Sequence, residues 1–212
     1  MGMEFVAVAP KIDEYIEGLF VEKDPVLREM QKLGEARDFP IVGPQVGRVL
    51  YVLAKLAAAK RIFEMGSGFG YSAYWFARAL PADGKVFQTE GSRENSKQAQ
   101  DFFRRGGLTK KAEFLVGNAI ELIDQVKGMF DAVFIDIDKE NYPAAYKKAK
   151  KRIRKGGLLL ADNVLWFGRV LEETKDPATQ GIKEFTRLLF SDPDFFATIL
   201  PIRDGVAVGY RK

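Results

Sequence analysis

The chain predicts an α/β protein built on a doubly wound, mostly parallel sheet, and three observations carry that expectation. From Lys60 onward, short apolar runs alternate with amphipathic helical stretches, the pattern of repeated strand–helix–strand units. Two of those runs, residues 132–135 and 158–161, are apolar at every position, as strands buried on both faces are. The tail breaks the alternation: residues 195–202 and 206–211 are adjacent strand-like runs with only Arg203-Asp204-Gly205 between them, which predicts a hairpin with one strand antiparallel.

Taken in order, residues 10–36 read as two short helices. Ile12, Tyr15, Ile16 and Leu19 mark one apolar stripe, and Val26, Leu27, Met30 and Leu33 mark another, with Asp24-Pro25 as the start signal between them. Both stripes are expected to pack over the sheet, making residues 1–43 a helical cap within one domain of 1–212. Residues 34–43 read as a loop, and residues 45–59 as a helix with Val46, Val49, Leu50 and Leu53 inward. Strands at 61–65, 85–89, 112–116, 132–135 and 158–161 then alternate with helices at 71–80, 92–106, 119–126, 142–153 and 179–189. Lys155-Gly156-Gly157 reads as the turn before the last of those strands.

Composition limits the chemistry. The 212 residues are 47% hydrophobic, ample for one core, and 29% charged, which argues against disorder. No apolar run approaches the ~20 residues that span a bilayer, and Met1 to Val6 lacks the features of a signal peptide, so a soluble, cytoplasmic protein is expected. With no cysteine there is no disulfide or thiol nucleophile, and with no histidine the commonest general base is missing. Proton transfer is left to lysine, a carboxylate, tyrosine or water. The net charge of +4 permits an anionic partner without requiring one.

The candidate site residues stand at strand ends. The run 132–135 stops at Asp136, Asp138 and Lys139, and the run 158–161 stops at Asp162 and Asn163. In an open α/β sheet ligands bind beyond the carboxyl ends of the strands, so these groups are either chemistry or a solvated turn capping the next helix. If the two strands are neighbours, Asp136, Asp162 and Asn163 offer three oxygen ligands, which suit a hard cation such as Mg²⁺ rather than zinc. Glu64-Met-Gly66-Ser-Gly68-Phe-Gly70-Tyr71-Ser72 joins the first strand to its helix and is either a ligand cradle or a tight turn. Tyr71 falls where a dinucleotide fingerprint needs its third glycine, which weakens an NAD reading. Glu90 ends the second strand, as a ribose acceptor or an exposed acid. Gly117-Asn118-Ala119 ends the third, where Asn118 caps a helix or meets an adenine. Trp166 and Phe167 wall a flat substrate or fill the core. The basic run of residues 147–155 touches phosphate or is a solvated helix face.

Four segments together resemble one family. The Glu-x-Gly-x-x-x-Gly-Tyr-Ser loop, Phe-Ile-Asp-x-Asp-Lys-x-x-Tyr, Gly-Gly-x-x-x-x-Asp-Asn-Val-Leu-Trp and the terminal Leu-Pro-Ile-x-Asp-Gly are similar to the cation-dependent O-methyltransferases, which include catechol and caffeoyl-CoA enzymes and bacterial relatives. The resemblance covers residues 42–212. It implies a seven-stranded, Rossmann-like class I methyltransferase fold that binds S-adenosylmethionine and forms a homodimer. It also implies roles: Val42, Glu64, Gly66, Gly68, Tyr71 and Ser72 at the methionine end of the cofactor, Glu90 on the ribose, and Asn118 and Ala119 beside the adenine. Asp136, Asp162 and Asn163 match the metal ligands, and Lys139 the proposed base, with Asn163, Trp166 and Phe167 near the acceptor. Asp138 stands where the animal catechol enzymes carry a tryptophan, and Phe167 where they carry a proline, so the animal substrate does not transfer. A phenolic small molecule is the expected acceptor and a hydroxylated nucleoside of tRNA the alternative. A third reading, a binding protein that keeps the cofactor loop without catalysis, is opposed by the intact Asp136, Lys139, Asp162 and Asn163.

Overall fold

Strands β1 (Arg61–Met65), β2 (Lys85–Glu90), β3 (Ala112–Val116), β4 (Phe130–Ile135), β5 (Ile153–Ala161), β6 (Phe195–Leu200) and β7 (Val206–Arg211) form one sheet in the order β3-β2-β1-β4-β5-β7-β6. The computed structural model describes residues 9–212, and the reading of Met1 to Val6 lies outside them. The five strands from β3 to β5 pair in parallel, while β7 is antiparallel to both β5 and β6. The hairpin is therefore docked by its second strand, as the doubly wound expectation with an antiparallel tail requires. Strand order reverses beside β1, whose neighbours are β2 and β4, and the crevice of such a sheet opens there.

Alternation along the strands sorts the core into two layers. In β4, Ala132 and Phe134 face one layer and Val133 and Ile135 the other, all fully buried. The first layer holds α2 (Pro25–Ala36), α3 (Gly43–Leu56), α4 (Tyr71–Ala79) and α5 (Arg93–Arg105). The second holds α6 (Ala119–Gln125), α7 (Tyr142–Ala149) and α8 (Pro177–Ser191). Helix starts follow the predicted chemistry. Asp24 Oδ1 accepts from Val26 N at 2.9 Å with Pro25 in the first turn, and Ser92 Oγ accepts from Asn95 N at 3.3 Å. No helix among the described residues is long and apolar enough to cross a membrane.

Four expectations are corrected. The stripe of α1 (Pro10–Gly18) does not pack over the sheet: Ile12, Tyr15 and Leu19 are 52%, 66% and 61% exposed. That face of the sheet is already covered by α2 to α5, and α1 hangs from α3 by Gln45 Nε2 donating to Asp13 Oδ1 at 2.7 Å. Helix α3 starts two residues earlier than expected, with Val46, Leu50 and Ala54 buried and Val49 and Leu53 only half-buried. Gly156 and Gly157 are not a turn. Strand β5 already begins at Ile153, opposite Phe130, and register resumes at Ala132 opposite Leu158, so the glycines form a bulge with Gly156 at φ +73°. Helix α7 consequently ends at Ala149, before the expected 153. The basic run lies at the opposite edge of the sheet from the strand carboxyl ends. There Arg152 donates to the carbonyls of Ile123, Val126 and Gly128, and Arg154 Nε donates to Asp131 Oδ1 at 2.6 Å, so these cations are structural.

Candidate active site

Parallel pairing continues one or two residues past the strand ends and thereby lines up the candidate groups. Asp136 N donates to Met65 O at 2.8 Å, Asp162 N to Ile135 O at 3.1 Å, and Ser67 N to Thr89 O at 3.0 Å. Thr89 Oγ1 further ties the first two loops, donating to Glu64 O at 2.8 Å and accepting from Gly66 N at 3.3 Å. Beyond these ends lies a cavity of about 700 Å³. It is lined by Val42, Gly66, Gly68, Tyr71, Ser72 and Glu90 on one side and by Asp136, Lys139, Asp162, Asn163, Trp166 and Phe167 on the other. Twelve of the fifteen residues to which the resemblance gives roles meet there. Asn118 and Ala119 do not line it. Asn118 Oδ1 accepts from Ile120 N at 2.9 Å, so it caps α6.

Glu64, the remaining one, is fully buried in β1, and neither of its carboxylate oxygens has a hydrogen-bond partner among the described residues. Burial, reinforced by the charges of Asp136 and Glu90, pushes its carboxyl up to about 8. An unpaired buried acid is costly, and a donor brought by a bound molecule would relieve it. The neighbouring glycines are a cradle that side chains would fill. Gly66 and Gly68 have φ of +84° and +52°, and a Cβ on Gly66 would come within 2.1 Å of the Asp136 carbonyl oxygen. Helix α4 starts from Gly70 with no side-chain cap, leaving its first amides for a ligand. At the second strand end Glu90 Oε1 accepts from Ser92 N at 2.8 Å, which fixes the carboxylate at the rim.

On the other side Lys139 Nζ donates to Asp136 Oδ1 at 2.9 Å and to Tyr142 OH at 3.0 Å, and its side chain is only 10% exposed. Tyr142 OH in turn donates to Asp162 O at 3.0 Å. Burial holds that phenol well above its ordinary range, so it stays protonated and aims the lysine. Asp162 is 4% exposed; burial first, then the charge of Asp136, raises its carboxyl. Among the described residues no group of three or more His, Cys, Asp or Glu gathers in a metal-holding arrangement. The hard-ligand set is instead two carboxylates and the amide of Asn163, which sits at φ +56°. Two mutually repelling acids, of which only Asp136 is salt-bridged among the described residues, fit an added divalent ion.

Phe167 is 64% exposed at the cavity mouth, so it is wall rather than core, while Trp166 is partly buried against the second layer. Sequence reasoning gave no role to Tyr142 or to Asp204, and missed Phe39, Pro40 and Ile41, which also line the cavity. The tyrosine of the Lys-x-x-Tyr spacing and the Asp-Gly pair of the tail were the available signals. Nothing in the sequence marks residues 39–41 as wall, since only tertiary packing brings them over the glycine loop.

Comparison with known proteins agrees with this geometry. A model of the O-methyltransferase family matches residues 19–212. A catechol O-methyltransferase from Niastella koreensis is 37% identical over 95% of this chain and 96% of its own length. Caffeoyl-CoA O-methyltransferase 1 from Eucalyptus globulus is 33% identical over 76% of this chain and 71% of its own. The solved O-methyltransferase from Bacillus cereus, in complex with SAH, matches with a TM-score of 0.88 and 32% identity, covering 95% of this chain and 97% of that one. The resemblance carried by the four motifs is thus borne out, and the chain belongs to the O-methyltransferase family.

Proposed function

We propose that this enzyme moves the methyl group of S-adenosylmethionine to a hydroxyl of a catechol-like small molecule with the help of a hard divalent cation. The observation that carries the reading is the meeting, in one cavity, of a glycine cradle and ribose-type acid with a lysine, two acids and an amide. SAH in the Bacillus cereus relative supports the donor, and the names of the catechol and caffeoyl-CoA relatives support the acceptor. Glu64, with Val42, Gly66, Gly68, Tyr71 and Ser72, takes the methionine end, its unpaired oxygens suiting an ammonium donor. Glu90 takes the ribose, and Asn118 and Ala119 the adenine side.

The sulfonium of the cofactor makes its methyl group electrophilic. A phenol near pKa ~10 is a poor nucleophile at neutral pH, so the site must favour its anion. Asp136, Asp162 and Asn163 would hold the cation, which would supply positive charge that favours that anion. Lys139, aimed by Asp136 and Tyr142, takes the proton, and with no histidine in the chain it is the best base on offer. Trp166 and Phe167 flank the ring and hold it for in-line attack.

Methylation of a hydroxylated nucleoside in tRNA is not favoured. Among the described residues Lys139 is the one basic residue that lines the cavity, and it is paired with Asp136, while the basic run lies at the far edge of the sheet. Self-association belongs to the same reading and is supported by the exposed apolar stripe of α1. Sedimentation at micromolar concentration tests it, and a monomer there discards it. The functional test is methyl transfer to a catechol panel and to hydroxyuridine-containing tRNA, each with Mg²⁺ and with excess EDTA. Turnover of catechols that is lost in EDTA and restored by Mg²⁺ is expected. Full activity in EDTA removes the cation, and transfer to RNA alone removes the phenolic acceptor.

A further inference from the structure

The tail motif Leu200-Pro-Ile-Arg-Asp-Gly205 has no part in the chemistry above, yet it touches both walls of the cavity. Arg203, at φ +49°, donates from Nη1 to the carbonyl oxygen of Ile41 at 2.9 Å. Gly43 makes room for that guanidinium: a Cβ there would lie 2.3 Å from Arg203 Nη1. Ile41 belongs to a strap, residues 37–43, that covers the glycine loop. At its other end Arg37 Nη1 donates to Gln98 Oε1 at 2.8 Å, and Phe39 packs on Phe69 with centroids 5.1 Å apart.

The next residue reaches the opposite wall. Asp204 is buried, and its Oδ1 accepts from Phe167 N at 2.6 Å while its carbonyl accepts from Leu165 N at 2.9 Å. Gly205 O accepts from Val164 N at 3.1 Å, and a Cβ on Gly205 would lie 2.5 Å from Leu165 Cγ. Among the described residues six non-glycine positions have positive φ, and five of them lie in these three touching segments: Asp38, Asn163, Trp166, Phe167 and Arg203. Backbone held in that region persists only where its surroundings over-determine it, and such positions concentrate at ligand clamps.

We propose that Arg203 and Asp204 are positioning residues that brace the cofactor-side strap against the acceptor-side wall, so that filling one side of the cavity prepares the other. The proposal rests on the functional reading above. A ligand under the strap fixes Ile41, Arg203 transmits that to the β6–β7 connection, and Asp204 fixes the amides of Leu165 and Phe167, which hold the aromatic wall. Coupling between two sites is reciprocal, so it is readable from either ligand.

The experiment is calorimetric titration of the full chain with 4-nitrocatechol in Mg²⁺, with and without saturating SAH, for the native chain, Arg203→Ala, Arg203→Lys and Asp204→Asn. Saturating SAH is expected to tighten nitrocatechol binding about 5- to 50-fold in the native chain. Arg203→Ala should bring that factor to within about twofold of unity while both ligands still bind, and Arg203→Lys should restore only part of it because lysine lacks the planar fork. Asp204→Asn keeps an oxygen acceptor for Phe167 N and should keep most of the factor. A purely structural role would lower the melting temperature of Arg203→Ala and leave the factor unchanged, which overturns the brace. An uncoupled native chain overturns it too, with the functional reading intact. A native chain that binds no SAH overturns both. Should Arg203→Ala fail to fold, Arg203→Lys and Arg203→Gln decide by the same factor.

Discussion

The two halves of the cavity are built in different ways. Apart from Val42 and the strap before it, the donor half comes from the ends of β1 and β2 and the start of α4, within 27 residues from Glu64 to Glu90, and strand register places that part. The acceptor half collects Lys139 after β4, residues 162–167 after β5, and the far-off Asp204 and Gly181; a Cβ on Gly181 would lie 2.2 Å from Lys139 O. Glu64 is fully buried, whereas Phe167 is 64% exposed. A donor half fixed by backbone pairing can stay constant while loops on the other side change the acceptor, in keeping with the general division between scaffold and loop.

Breaking the acceptor half at its centre gives the largest expected effect. Lys139→Ala should lower kcat by about 10²- to 10⁴-fold, the usual contribution of a general base. Cofactor affinity should stay within about twofold, because among the described residues the Lys139 ammonium meets Asp136, Tyr142 and the Trp166 ring rather than the glycine cradle. Arginine should rescue little, since it cannot deprotonate near neutral pH. A catechol series of falling pKa separates base from orienter: acidic catechols should lose less rate in the alanine variant, and an equal loss throughout leaves water as the base.

The donor half is broken by titration rather than by truncation. Glu64 has a folded-state value near 8 against 4.5 for an ordinary glutamate. Between those values the folded ligand-free chain binds more protons than the unfolded one, so this group makes stability fall as pH rises. The slope is at most about 1.4 kcal/mol per pH unit, one proton's worth. Glu64→Gln should flatten stability from pH 4.5 to about 8 relative to the native chain, stabilise it at the alkaline end, and weaken SAH binding. Parallel urea-midpoint profiles for the two chains would return the acid to an ordinary range. Next in size is Glu90→Ala, which should weaken SAH binding by about 1 to 3 kcal/mol, the cost of losing a hydrogen bond to a charged group. Unchanged affinity by calorimetry removes Glu90 from the site.

What could be seen in the sequence follows the same division. The parallel sheet and its strand ends were legible because buried strands are apolar at every position and glycines mark the cradle, as at residues 132–136 and 64–72. The α1 stripe misled, because helical periodicity states that a face is apolar but not that a neighbour has room for it; α2 to α5 had already covered that side. Gly156-Gly157 misled for a related reason, since a glycine pair marks unusual backbone whether it turns the chain or bulges a strand. Tyr142 and Asp204 went unassigned because their work is done through the backbone carbonyl of Asp162 and the amide of Phe167, contacts that leave no residue-type signature at the far end.

The smallest expected effect tests where the donor half stops. Asn118 stands two residues past β3, its Oδ1 accepts from Ile120 N at 2.9 Å, and it lies outside the cavity lining, so a helix cap accounts for its side chain as it stands. Cap removal typically costs about 1 kcal/mol, and Asn118→Ala should lose that much stability. Asp and Ser cap as well as Asn, so Asn118→Asp and Asn118→Ser should restore the melting temperature; an adenine contact through the amide would be restored by neither. Titration of SAH into the three variants therefore separates the roles. Equal affinities with a lowered melting temperature only in the alanine chain confine the donor half to Val42, residues 64–72 and Glu90. Weakened SAH binding in all three, with stability recovered in two, extends it to the third strand end and gives Asn118 both tasks at once.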